Sequence, residues 1–212
     1  MNFYVLRNPT TAQSTTRAVT DYMPLDPIVV GNAVQCDHCG EFMTMMPWLP
    51  PHRVTLELWT SRYGDIAFGP GSEMLFTSSL VDTFLQSGLT GLRLQGPVDV
   101  SRILRRGAAS VEGPSPSYVC VLPELTHTKI DLAASGVETK EPASCSECQV
   151  GVLMRHARVV VDEKTWSGED VFYARGLSGL VITSERFAAW FDRLHVNYGA
   201  LIPASEYSRR FM

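Results

Sequence analysis

Cys36-Asp37-His38-Cys39-Gly40 and Cys145-Ser146-Glu147-Cys148-Gln149 lie 109 residues apart and hold four of the five cysteines. Two residues between a pair let both sulfurs turn toward one point, and two such pairs supply the thiolates of a tetrahedral zinc site. The metal ligands expected are therefore Cys36, Cys39, Cys145 and Cys148, around one structural zinc ion. Four thiolates leave no open position for water, so the site is not expected to be catalytic. A thioredoxin-like redox pair is the competing reading. It needs one such pair at a helix start after a strand, whereas here there are two, each in a loop containing Pro, Ser or Gly. His38 lies between two ligands and is expected to face solvent.

The chain has 212 residues, 45% of them hydrophobic and 19% charged, the balance of an ordinary soluble globular protein. A chain of this size buries a core without disulfides, which makes zinc a local staple. No stretch approaches the roughly 20 continuous apolar residues of a membrane span. Met1-Asn2-Phe3-Tyr4-Val5-Leu6-Arg7 does not read as a secretion signal. A cytoplasmic location is the expectation, with thiols kept reduced and available for metal. The net charge of -4 argues against nucleic acid as a partner, and no membrane partner is expected.

Phe3 to Leu6 reads as a strand ended by Asn8 and Pro9, and the Ser/Thr/Ala-rich stretch from Thr10 to Thr20 as a loop. Val54 to Trp59 alternates apolar and polar residues, as a half-buried strand does. Thr77 or Ser78 can cap a helix with an apolar stripe of Leu80, Val81, Phe84 and Leu85, ended at Gly88. Leu89 to Leu94 reads as a short strand, Val98 to Leu104 as a strand or one helical turn, and Tyr118 to Leu122 as an apolar strand containing Cys120. His156 to Val161 reads as a strand centred on three valines, followed by strands at Val171 to Tyr173 and at Leu180 to Ile182. Phe187, Trp190, Phe191 and Leu194 mark an amphipathic helix, and Ala200 to Ile202 a last strand. The cluster Met43, Met45, Met46 and Trp48, broken by prolines, is either a loop over the core or an adaptable contact surface. Glu57 and Glu73 read as surface charges.

The two parts of the chain echo each other. Asp65-Ile66-Ala67-Phe68 resembles Asp170-Val171-Phe172-Tyr173 at an offset of 105 residues, and Thr77-Ser78 matches Thr183-Ser184 at 106. Phe84-Leu85 faces Trp190-Phe191 at 106, and Gly91 faces Gly199 at 108. The fold class expected is α+β. Two pseudo-repeated halves, about 28–95 and 137–203, each carry strands and one capped amphipathic helix. A zinc-ribbon-like four-cysteine site joins them into a single cooperative domain over 1–212.

Catalytic chemistry finds no purchase in the sequence. His52, His127, His156 and His195 lack a metal-like partner at helical spacing, and no serine sits in a nucleophile elbow. The chain is not expected to be an enzyme. The cysteine pairs, the duplication and several short segments resemble the myxobacterial double-CXXCG paralogous family, immunity proteins of a contact-exchanged lipoprotein toxin system. The segments are Phe3-Tyr4-Val5-Leu6-Arg7, Cys36 to Gly40, Gly88-Leu89-Thr90-Gly91-Leu92, Cys145 to Cys148, and Leu180-Val181-Ile182-Thr183-Ser184-Glu185-Arg186-Phe187. The resemblance implies an immunity protein that binds and neutralises one cognate toxin protein, holding a structural zinc. Only the cysteines carry over. Contact candidates are Met43 to Trp48, Trp59 and Trp166. This chain departs from the family in having Gln149 where the second motif has glycine, and a different turn is expected there. The alternative is a zinc-ribbon adaptor binding nucleic acid or another protein, which would want a basic face near the knuckles. Asp37, Glu41 and Glu147 point the other way.

Overall fold

The computed structural model describes residues 1–9, 20–106, 113–143 and 145–210. Most of the expected loop from Thr10 lies outside these residues, although Thr20 already belongs to a strand. In chain order the elements begin with β1 (Phe3–Arg7), β2 (Thr20–Pro24), β3 (Val29–Val30), β4 (Trp48–Leu49), β5 (His52–Leu58), β6 (Ile66–Phe68), β7 (Met74–Thr77), α1 (Ser78–Gln86) and β8 (Leu92–Arg105). They continue with β9 (Tyr118–Lys129), β10 (Glu138–Glu141), β11 (Val152–His156), β12 (Val171–Arg175), β13 (Val181–Ser184), α2 (Glu185–Arg193), β14 (Ala200–Pro203) and β15 (Arg209–Arg210). The fold is mixed α/β, with two α-helices among the described residues.

One large sheet runs β14-β1-β13-β12-β9-β7-β6-β2-β5-β8, and β8 pairs back onto β9. Six strands therefore close into a ring. Closure relies on the length of β8: Leu92 to Val98 pairs with β9, and Val98 to Arg105 pairs with β5. Gly96 sits at the register shift with φ +135, a conformation that glycine adopts without Cβ strain. Period-two alternation sorts the side chains. Leu75, Leu56, Tyr22 and Cys120 point into the ring, while Met74, Phe76 and Val121 face the helices.

Both helices lie on the second layer of the core. Leu80, Val81 and Phe84 of α1 meet Phe187, Trp190 and Phe191 of α2, with the Phe84 and Trp190 rings edge-on at 5.8 Å. Thr77 caps α1 by accepting the Leu80 N–H, and Ser184 caps α2 by accepting the Phe187 N–H. Leu85 and Leu194, the last residues of the two expected stripes, are exposed.

The connections around the helices are matched. The strands flanking α2, β13 and β14, both pair with β1. Those flanking α1, β7 and β8, both pair with the first part of β9. Asp65, before β6, accepts the Asn197 N–H after α2 at 2.7 Å, and its own N–H donates to the Asn197 carbonyl. Asp170, before β12, accepts the Thr90 N–H after α1 at 3.0 Å, and its N–H donates to the Thr90 carbonyl. Gly91 passes so close to β12 that a Cβ there would lie 2.0 Å from the Val171 carbonyl oxygen.

Three expectations change. The short strand expected over Leu89 to Leu94 starts only at Leu92 and runs on through the ambiguous stretch from Val98 as one long strand, β8. The strand expected over His156 to Val161 ends at His156. Beyond it the valines bond irregular partners, with Val159 N–H donating to Ala204 and Val160 N–H to the Ser135 hydroxyl. Val159 and Val161 are buried all the same. Glu73 is no surface charge: it is 4% exposed.

Candidate metal centre

Each cysteine pair sits at the end of a small antiparallel ribbon. The first lies beyond β3 and β4, on a hairpin held by the Gln35–Phe42 bridge. The second lies between β10 and β11. Both loops close alike. Gly40 N–H donates to the Cys36 carbonyl at 2.8 Å, and Gln149 N–H to the Cys145 carbonyl at 3.0 Å. Gly40 has φ +77 and Gln149 has φ +56. The substitution of Gln for Gly thus keeps the left-handed turn, contrary to the different turn expected from sequence. Its side chain compensates: with the amide assigned so that its nitrogen faces the two acceptors beside it, it donates to the carbonyl oxygens of Ile130 and Arg175, each at 3.2 Å.

The four sulfurs come together as the spacing predicts. All lie within 4.8 Å of one another, with Cys36 to Cys145 at 3.9 Å and Cys39 to Cys148 at 3.6 Å. Sulfurs about 2.3 Å from a common ion at tetrahedral angles stand about 3.8 Å apart. The donor set thus fits a metal ion of zinc's size and softness, and the four cysteines could hold one. Cys36 and Cys148 are buried and Cys39 is exposed. His38 is exposed, as expected.

Backbone dipoles tune the thiols. The N–H groups of Cys148 and Glu147 point at Cys145 and pull it down to about 6. At Cys39 the Glu41 N–H lowers the thiol, but desolvation and the three neighbouring sulfurs outweigh it and push it up to about 12. Desolvation raises Cys148. Without metal the cluster holds protons that binding must release.

The second loop is pinned to the sheet. Glu147 accepts Lys129 Nζ at 2.9 Å and pairs with the Arg175 guanidinium, whose Nη2 lies 2.9 Å from His127 Nδ1. The Lys129 ammonium, with Arg175 behind it, holds the Glu147 carboxyl below its ordinary range. Glu147 is therefore not a free acidic charge at the knuckle. Sequence reasoning missed Lys129 and Arg175, because nothing local to either links it to a loop elsewhere in the chain.

The other candidates divide. Met43 and Trp48 are buried, while Met45 and Met46 are exposed, so the cluster is both lining and surface. Trp59 is exposed. Trp166 is half-buried, with its ring edge-on to Phe3 at 5.3 Å and its indole N–H donating to the Glu169 carbonyl. Cys120 is fully buried inside the ring, where burial raises its thiol. No described helix is long and apolar enough to cross a membrane. No protein-family model matches the chain, and no curated protein matches it.

Proposed function

We propose that this chain is a cytoplasmic immunity protein that binds and neutralises a cognate toxin protein, and that a structural zinc on Cys36, Cys39, Cys145 and Cys148 holds its binding surface in place. The observation that carries the reading is the closed four-sulfur arrangement. A metal fully ligated by protein has no position for a substrate, so the site serves architecture and leaves the work to a surface. The first cysteine hairpin presents such a surface, with Phe42, Met45 and Met46 exposed side by side next to the knuckle. Exposed Met and Phe in one patch suit an adaptable protein contact. The chain is not an enzyme in this reading.

The same reading takes the protein as a fused duplication and a single cooperative domain over 1–212. The matched caps, the reciprocal aspartate bonds and the paired knuckles support it. So does the register. Tyr118 opposite Thr77 corresponds to Phe3 opposite Ser184, and Leu94 opposite Val121 to Leu201 opposite Leu6. These pairings extend the repeat beyond 28–95 and 137–203 to include β1 and β9, and the metal would sit where the halves meet.

The test is co-expression with the toxin candidate encoded beside this chain's gene. Protection of the host and co-purification of the two proteins are expected, both lost on Met45→Asp. Failure to bind or protect against that product overturns the immunity reading. Salt-dependent retention on DNA would favour the adaptor instead.

A further inference from the structure

A cleft of about 330 Å³ opens beside the first cysteine hairpin. Val34, Phe42 and Met45 of the hairpin form one wall, and Leu122, Leu125 and Tyr173 form the other. Glu73, 4% exposed, lies in its lining and also in that of the adjoining cavity with Gly71, against which its second carboxylate oxygen rests. One carboxylate oxygen accepts the Trp48 N–H at 2.7 Å. No described group donates to the other oxygen, and Glu73 joins no ion pair among the described residues. The nearby hydroxyls are committed elsewhere: Tyr22 donates to the Glu73 carbonyl, and Tyr173 to the Ser72 carbonyl at 2.5 Å.

A carboxylate removed from water is costly unless a cation or several donors meet it. Burial raises the Tyr22 and Tyr173 hydroxyls nearby. Although Arg93 also lines the cleft, no described cation pairs with Glu73, and a positive group entering along the apolar walls would meet it. A lysine side chain has that form, with four methylenes for the Met, Leu and Phe surfaces and an ammonium at the end. Arg93 itself is exposed and in no ion pair among the described residues, and its guanidinium can meet carbonyl oxygens of an incoming chain. The apolar surface continues past the mouth over Met46, an area that a free amine would leave uncovered.

We propose that this cleft is a binding site for a lysine side chain of a protein partner, with Glu73 as its counter-ion. The identity of that partner rests on the toxin-binding reading, but the chemistry of the cleft does not.

The experiment titrates the zinc-loaded full chain with hexylammonium, hexan-1-ol and the capped peptide acetyl-Leu-Lys-Leu-amide, following the Trp48 amide by NMR. Saturable binding is expected, with hexylammonium on the order of tenfold tighter than the alcohol, as one charge-assisted hydrogen bond implies. The peptide should bind more tightly than the amine. Glu73→Gln keeps an acceptor for Trp48 and removes the charge, so it should erase the preference for ammonium over alcohol. Should that variant fail to fold, Val34→Trp, at an exposed wall position, should block all three probes. Equal binding of amine and alcohol, a preference that survives Glu73→Gln, or full binding by Val34→Trp overturns the proposal. Tighter binding of the free amine than of the peptide overturns the choice of a protein lysine. Because no toxin takes part, these outcomes are independent of the immunity test.

Discussion

Asp65 and Asp170 hold opposite helices: each aspartate precedes one helix-bearing strand pair and fastens the chain just beyond the other helix. Asp170 is the more buried of the two and also accepts the Ser184 hydroxyl at 2.7 Å, with Arg186 nearby. Asp170→Ala strands the Thr90 N–H and weakens the α2 cap. It should cost about 2–4 kcal/mol, and the more exposed Asp65→Ala about half as much. Urea unfolding checks both values. Equal, negligible losses would show that the clasp is decorative.

Gln149 balances two effects. A non-glycine residue at positive φ is strained by about 1 kcal/mol, and two amide hydrogen bonds return about as much. Gln149→Ala keeps the strain and loses the bonds, so it should destabilise the metal-loaded protein by about 1–2 kcal/mol. Gln149→Gly loses the bonds but relieves the strain, and should lie within about 1 kcal/mol of the parent. Unfolding of the three proteins side by side ranks them. A more stable Ala variant contradicts the assignment of the amide bonds.

Native mass spectrometry should find one zinc ion per chain, and chelation should lower the unfolding temperature. Any one of Cys36→Ser, Cys39→Ser, Cys145→Ser and Cys148→Ser should reduce zinc affinity, whereas Cys120→Ser should leave the stoichiometry unchanged. A metal-free protein with intact stability would show that the four thiols are bystanders.

Burial lowers the pKa of His52 and, less simply, of His156, so the folded state resists their protonation more than the unfolded chain does. The unfolded state then binds more protons as pH falls below about 6.5. Stability should therefore decline from pH 7 toward pH 5. His52→Phe keeps a ring against Trp48, which it meets edge-on at 4.6 Å, and should flatten part of that decline at constant zinc loading. An unchanged profile would place the proton uptake elsewhere.

Local signals were legible where one residue acts on its neighbours. The Cys spacing, Thr77 or Ser78 as the cap of α1, and the stripe of Phe187, Trp190 and Phe191 could be read directly. Closure of the ring could not, because it depends on β8 changing partners from β9 to β5 at Gly96, between strands far apart in sequence. Glu73 was misread for a related reason. Charge suggests surface, and only the tertiary position of Trp48 over it shows otherwise. The turn at Gln149 was misread because its support comes from carbonyls of β12 and of the loop after β9.

Since β1 lies between the strands that flank α2, and β9 between those that flank α1, a nick in the connection from β8 to β9 leaves two pieces, each missing its partner strand. Each fragment would offer the other a vacant slot and two of four thiols. The pair is thereby suited to fragment complementation, with reconstitution triggered by adding metal.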